Sequence, residues 1–297
     1  MVNFASPDAQ AAKFTRTTLG PTAQLGKQPN TMALPMPRIM TRPVPRLLPL
    51  LFIATCITAT AQDAQQPPPL SYECQRAVNP IVIDGKLDDP AWASASWTSD
   101  FVDIEGSSKP APRFRTRAKL LHDDKYLYIA AELEEPNVTG TLTKHDSVIF
   151  RDNDFEVFIK PLPDTESYYE FEINALNTSW DLFLNKPYNQ GGKADNSWDI
   201  AGLKTAVAIE GTLNSPNDTD RGWTLEIAWP LTAFASRQTI LPPQSGTTWR
   251  INFSRVEWLH GHQEPGLHED NWVWSPQGVV NMHIPEKWGY LTFRDKH

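Results

Sequence analysis

Between Tyr168 and Leu182 the chain reads YYEFEINALNTSWDL, a stretch with a period of two. Tyr169, Phe171, Ile173 and Ala175 fall on one face, and Tyr168, Glu170, Glu172 and Asn174 on the other. That alternation belongs to a strand with one apolar face, and no amphipathic helix produces it. Similar runs lie at 80–84, 114–122, 125–134, 153–161, 179–185, 203–211, 222–229, 247–258 and 287–293. HDDK at 122–125 is a hairpin turn between two of them. Helical signals are confined to DDPAWASA, with Asp89 as N-cap and Pro90 at the first helical position, and to PLTAFAS from Pro230. The expected class is therefore all-β: an antiparallel, jelly-roll-like β-sandwich with one or two short helical turns.

The strands begin late. From Met40 the text is MTRPVPRLLPLLFIATCITATAQ, with Arg42 and Arg46 before an apolar run and Ala59-Thr60-Ala61 after it. This is the layout of a secretory signal peptide, and the apolar run is too short for a good transmembrane helix. Residues 1–61 are read as a leader, in which 1–35 precede a start at Met36 or Met40 or form a disordered extension. A lipoprotein attached through Cys56 is disfavoured, because a threonine directly precedes it. Residues 62–71 form a Pro-rich linker and 72–297 a single domain, expected to be secreted or periplasmic. The leader holds six of the 27 basic residues and one of the 35 acidic ones, so the remainder carries a formal charge of −13. That charge makes nucleic acid and anionic membrane poor partners. Cys74 is the one cysteine beyond the leader, so no intrachain disulfide can form there and stability must come from the core.

Three strands each present a polar row opposite an apolar one. Glu156 lies opposite Phe155 and Val157, Glu170, Glu172 and Asn174 oppose Phe171 and Ile173, and Arg250, Asn252 and Ser254 oppose Trp249, Ile251 and Phe253. Three readings stay open on the pattern alone. The rows are the wet outer face of a sheet, a carboxylate pair for glycoside hydrolysis, or a hydrogen-bonding floor with Arg250 as balancing charge. No Ser-His-Asp arrangement, nucleophilic Cys motif or phosphate loop is visible. His260, His262 and His268, with Glu264, Glu269 and Asp270, match no standard zinc spacing. Asp84, Asp88 and Asp89 are as well explained by turns as by calcium. Trp223, Trp229, Trp249 and Trp288 read as core.

Five ordered blocks carry a resemblance: IDGKLDDPAW from Ile83, DDKYLYIAAEL, DNDFEVFIKP, GWTLEIAWPL and PEKWGYLTF. Together, from about Tyr72 to Phe293, they resemble the family 9 carbohydrate-binding modules, and most closely the stand-alone exported family 9-like branch. The resemblance implies a sandwich that binds sugars, frequently carries calcium as its metal, and works beside polysaccharide-degrading enzymes. Family members clamp a sugar ring between two tryptophans; Phe150 stands at the first position and Met282 at the second. Glu156 matches the acidic residue that accepts sugar hydroxyls, Asn174 matches an asparagine, and Glu172 stands where an arginine is usual. Trp272 and Trp274 are candidates for a replacement platform. The expected ligand set is thus Phe150, Trp258, Trp272 and Trp274 for stacking. Glu156, Glu172, Asn174, Arg250 and Asn252 would serve hydrogen bonding. The alternatives are a hydrolase using Glu156 and Glu172, or a surface scaffold whose sugar site has decayed.

Overall fold

The apolar faces of the runs Asp154–Lys160, Tyr168–Asn174, Gly222–Pro230 and Thr248–Trp258 are buried. In the computed structural model, which describes residues 68–161, 166–235 and 239–295, thirteen strands form. They are β1 (Ser71–Arg76), β2 (Val102–Asp103), β3 (Thr116–His122), β4 (Tyr126–Glu134), β5 (Asp154–Lys160), β6 (Tyr168–Asn174) and β7 (Ser179–Leu184). Then come β8 (Ala194–Asp195), β9 (Lys204–Glu210), β10 (Gly222–Pro230), β11 (Thr248–Trp258), β12 (Glu269–Val273) and β13 (Gly289–Arg294). The leader, its signal-peptide reading and residues 62–67 of the linker lie outside the described residues. No helix among the described residues is long and apolar enough to cross a membrane.

The hydrogen-bonded order is β8-β7-β6-β5-β11-β13-β1-β3-β4-β10-β9, with β12 joined to β11 and β2 to β12. This path curls over on itself. Phe155, Val157, Phe171 and Phe253 from one half share a single core with Leu120, Ile129, Leu225 and Trp229 from the other. Each such fully buried side chain contributes roughly 1.5–3 kcal/mol, so the inner faces of the two halves hold the sandwich closed. Most pairings are antiparallel, as expected. The exception is β1, which runs parallel to both β13 and β3 and seams the halves together.

The helical turns expected at Pro90 and after Pro230 form as 3₁₀ turns, Pro90–Ser94 and Leu231–Phe234. Three more occur at Ile149–Arg151, Tyr188–Gln190 and Pro285–Lys287. Asp89 does not cap its turn; its carboxylate accepts from the amide of Val82 at 2.7 Å. That bond takes the place of a strand partner, and residues 80–84, read as a strand, form none. Ile81 and Ile83 instead pack on Trp92, Leu121, Tyr128 and Ala228, on the outside of the second half. Glu226 of β10 ties this segment down, accepting from Trp92 Nε1 at 2.7 Å and from the amides of Asp84 and Gly85 at 2.9 Å each. Gly85 has φ +84°, and a Cβ there would lie 2.6 Å from the backbone of Val207 and Ala208. Only glycine fits such a position.

Candidate functional site

Register decides which polar residues meet. Across β5 and β6, Glu156 stands opposite Glu172, Asp154 opposite Asn174 and Phe158 opposite Glu170. On one side β11 adds Ser254 opposite Glu156 and Asn252 opposite Phe158. On the other β7 adds Trp180 opposite Glu172 and Leu182 opposite Glu170. Directly opposed residues have Cα atoms about 4.5–5.5 Å apart, so one row runs Trp180, Glu172, Glu156, Ser254 across four strands.

This row faces away from the main core, yet it is not a wet surface. Glu156, Glu172, Asn252 and Ser254 are fully buried, beside a second apolar cluster of Phe150, Phe158, Tyr168, Trp180, Trp258, Met282 and Trp288. Trp288, read as core, is buried in this second cluster, while Trp223, Trp229 and Trp249 are in the first.

The 3₁₀ turn at Ile149–Arg151 brings Phe150 over the row. Its amide donates to Glu172 Oε2 at 3.0 Å, and its ring lies 6.5 Å from that of Trp180 at an interplanar angle of 31°. Trp258 acts from behind, donating Nε1–H to the Phe150 carbonyl at 2.8 Å. Met282 and Phe150, at the two positions where the resemblance expects clamp tryptophans, are both buried in this cluster. Tyr188 and His283 complete the walls with rings 4.6 Å apart, and His283 Nδ1 lies 2.6 Å from Tyr168 Oη. Burial pushes the Tyr188 hydroxyl pKa well above its ordinary value, and the carboxylates of Glu170 and Glu172 add to this. Burial and Glu170 do the same to Tyr168.

Several expected ligand contacts have other tasks. The Asn174 side chain donates to Leu142 O and Asp152 Oδ2 and accepts from the amides of Leu176 and Thr178. It therefore fixes the β6–β7 turn and the approach to Phe150, and its donors and acceptors are used there. Asn252 exchanges two bonds with the backbone of Ser275. Arg250 does not supply balancing charge to Glu156. It lies four residues along β11 from Ser254, roughly 13 Å away, donating to Trp288 O and Tyr290 Oη at 2.7 Å each. Trp272 and Trp274 are not a replacement platform, because both point into the main core. Trp272 pairs with Arg255, whose side chain takes the face opposite to Ser254. Trp180, Tyr188 and His283 were not recognised from the sequence. The β6–β7 register was the one signal that marks Trp180.

Beneath the row, fully buried Arg255 donates to Glu257 Oε2 at 2.8 Å, Glu135 Oε2 at 2.7 Å and Thr116 Oγ1 at 3.0 Å. Asn153 links this group to the wall: it donates to Glu135 Oε2 at 3.0 Å and accepts from the Trp258 amide. Burial pushes the Glu257 carboxyl up to about 8; Arg255 opposes the shift and Glu135 reinforces it.

Carboxylate oxygens of Asp154, Glu156 and Glu172 lie within 4.8 Å of one another, an all-oxygen donor set of the kind a hard cation such as calcium takes. Asp84 and Asp89 accept from nearby amides in turns. His260 and His262 pair with Glu264, and His268 with Asp270, without forming one ligand set among the described residues.

Known proteins share this architecture. The profile of the family described as carbohydrate family 9 binding domain-like matches residues 83–295. Exoglucanase XynX of Acetivibrio thermocellus is 28% identical over 152 residues, which are 51% of this chain and 12% of that protein. Endo-1,4-beta-xylanase A of Thermoanaerobacterium saccharolyticum is 29% identical over 150 residues, 49% of this chain and 12% of its own length. The match thus takes in about an eighth of either enzyme. Among solved structures, a family 9 carbohydrate-binding module of Caldicellulosiruptor kristjanssonii in complex with cellotriose has a TM-score of 0.52 at 16% identity, covering 76% of this chain and 95% of that one. Its glucose complex gives 0.51 at 17%, covering 76% and 97%. A candidate carbohydrate-binding protein from Bacteroides uniformis gives 0.57 at 17%, covering 76% and 99%. With the profile spanning well over half of its length, the chain belongs to the carbohydrate family 9 binding domain-like family.

Proposed function

We propose that this protein binds carbohydrate through the Glu156–Glu172 row, with Phe150 and Trp180 as the aromatic faces, and does no chemistry on its ligand. The observation that carries this is the side-by-side placement of Glu156 and Glu172, with Trp180 beside Glu172 on the next strand and the Phe150 amide bonded to its carboxylate. Ionised carboxylates only accept hydrogen bonds, and sugar hydroxyls donate them. Aromatic rings match the C–H face of a pyranose. Glu172 stands where the resemblance expects an arginine, so the floor has gained an acceptor and lost a cationic donor. The ligand preferred here then differs from the usual one in where it offers its hydroxyl donors. Secretion or periplasmic export belongs to the same reading and is supported by the charged and apolar run ending at Ala61. A role beside polysaccharide-degrading enzymes is supported by the two named relatives.

The test is a glycan array with the full chain, followed by calorimetry and product analysis on the best glycan. Glu156→Gln should weaken binding by roughly 10- to 100-fold, the worth of a charge-assisted hydrogen bond, and wild type should release no product. An array without signal overturns the reading in favour of a scaffold. Cleavage by wild type that disappears in Glu156→Gln overturns it in favour of a hydrolase.

A further inference from the structure

Behind Trp180, on the other face of β7, a second set of ionisable groups meets. His145 and Asp146 come from the segment before the Phe150 turn, Asp181 from β7, and Asp199 from the loop after β8. His145 Nε2 lies 3.4 Å from Asp146 Oδ1, 3.4 Å from Asp181 Oδ1 and 3.3 Å from Asp199 Oδ1. The other ring nitrogen, Nδ1, is 3.0 Å from the carbonyl oxygen of Ser179. A carbonyl only accepts, so Nδ1 carries the hydrogen, and in the neutral ring the Nε2 lone pair faces three carboxylate oxygens. Positive charge answers that arrangement, either as a proton on Nε2 or as a metal ion in the proton's place.

A second observation points the same way. The Asp181 side chain is 2% exposed, and its Oδ1, directed into the group, meets no hydrogen-bond donor of good geometry among the described residues, with the His145 ring 3.4 Å away. Its Oδ2 accepts from the amide of Ile200. An orphaned buried carboxylate oxygen is costly unless a positive charge answers it.

We propose that His145, Asp146, Asp181 and Asp199 form a site for one divalent cation of the zinc class. Ligands about 2.0–2.1 Å from a tetrahedral zinc ion are about 3.3–3.4 Å from one another, the spacing found from Nε2 to all three aspartates. One imidazole and three carboxylates fill four positions, which makes the site structural and closed. Calcium takes six to eight oxygens and gains nothing from an imidazole. The Ser179 carbonyl plays the outer-shell part that orients a ligating histidine. The ion would pin the segment leading to Phe150, and the loop that follows Tyr188, onto the strand bearing Trp180. That consequence rests on the sugar-binding reading, whereas the metal site itself does not.

The full chain, stripped with a chelator, would be titrated with ZnCl₂ and separately with CaCl₂ by calorimetry, and its melting followed in each. One zinc per chain, with a rise in Tm that equimolar calcium does not reproduce, is the expected result. Asp199→Asn replaces an exposed residue and leaves the fold intact; it and His145→Gln should each weaken zinc binding by more than about tenfold. A His260→Ala/His262→Ala variant should bind as wild type does. No zinc binding, unchanged affinity in Asp199→Asn and His145→Gln, or loss confined to the His260/His262 variant each overturns the site. Zinc bound without any glycan affinity overturns the sugar reading and leaves the metal site standing.

Discussion

Glu257→Gln should change the pH dependence of stability markedly. Arg255 donates to two carboxylates at once, Glu257 at 2.8 Å and Glu135 at 2.7 Å, with every partner at most 4% exposed. Burial pushes the Glu257 carboxyl up to about 8 from its ordinary 4.5, and Arg255, shared with Glu135, only partly opposes it. The folded chain therefore keeps a proton between those two values that the unfolded chain has already released. Stability must fall as pH rises through that window, by up to about 1.4 kcal/mol per unit and up to about 4 kcal/mol from pH 5 to pH 8. Outside the window this group adds no slope. Glutamine mimics the protonated acid, so the variant should match wild type near pH 5 and exceed it by several kcal/mol near pH 8. Urea unfolding followed by tryptophan fluorescence at half-unit steps measures both curves. Parallel curves for the two proteins would refute the assignment of the proton to Glu257.

Three further outcomes follow from the geometry. Glu226→Ala removes the acceptor of three hydrogen bonds and strands the buried Trp92 indole and Gly85 amide; thermal melts should show a loss of about 3–5 kcal/mol. Gly85→Ala adds a Cβ that meets backbone at 2.6 Å on a residue with φ +84°, and urea unfolding should show more than about 2 kcal/mol of destabilisation. Trp258→Phe deletes the donor to the Phe150 carbonyl, so glycan affinity should fall severalfold in calorimetry while stability drops by only about 1–2 kcal/mol.

Where side chains alternate over seven or more residues, the sequence was legible, because period two leaves one arrangement that buries the apolar set. Phe171 and Ile173 fall in the core and Glu170 and Glu172 on the other face, as their spacing requires. β1 escaped notice because only Tyr72 and Cys74 point inward and a proline run precedes them. β12 begins in the acidic, histidine-rich stretch that holds His260, His262 and His268, which shows no alternation. The site was half legible. Phe150, Glu156 and Glu172 lie together, whereas the direction in which Trp272 and Trp274 face is not written in their local sequence. Pairing with β11 turns Trp272 into the core, and Trp274, bonded through its amide to the Phe253 carbonyl, follows it there. His145, Asp146, Asp181 and Asp199 have no motif spacing, since loops and register alone bring them together.

The seam strand has a consequence for how the protein is made. Ser71 of β1 pairs with Tyr290 of β13, so a strand near the start of the domain waits for one 219 residues later in synthesis. At about 5–20 residues per second that delay is roughly 10–40 s. Until β13 emerges, the joint between the two halves cannot close, and the strands flanking it present open edges to other chains. Molecules caught in that interval need shelter from one another, and synthesis that halts before Gly289 leaves a sandwich without its final seam.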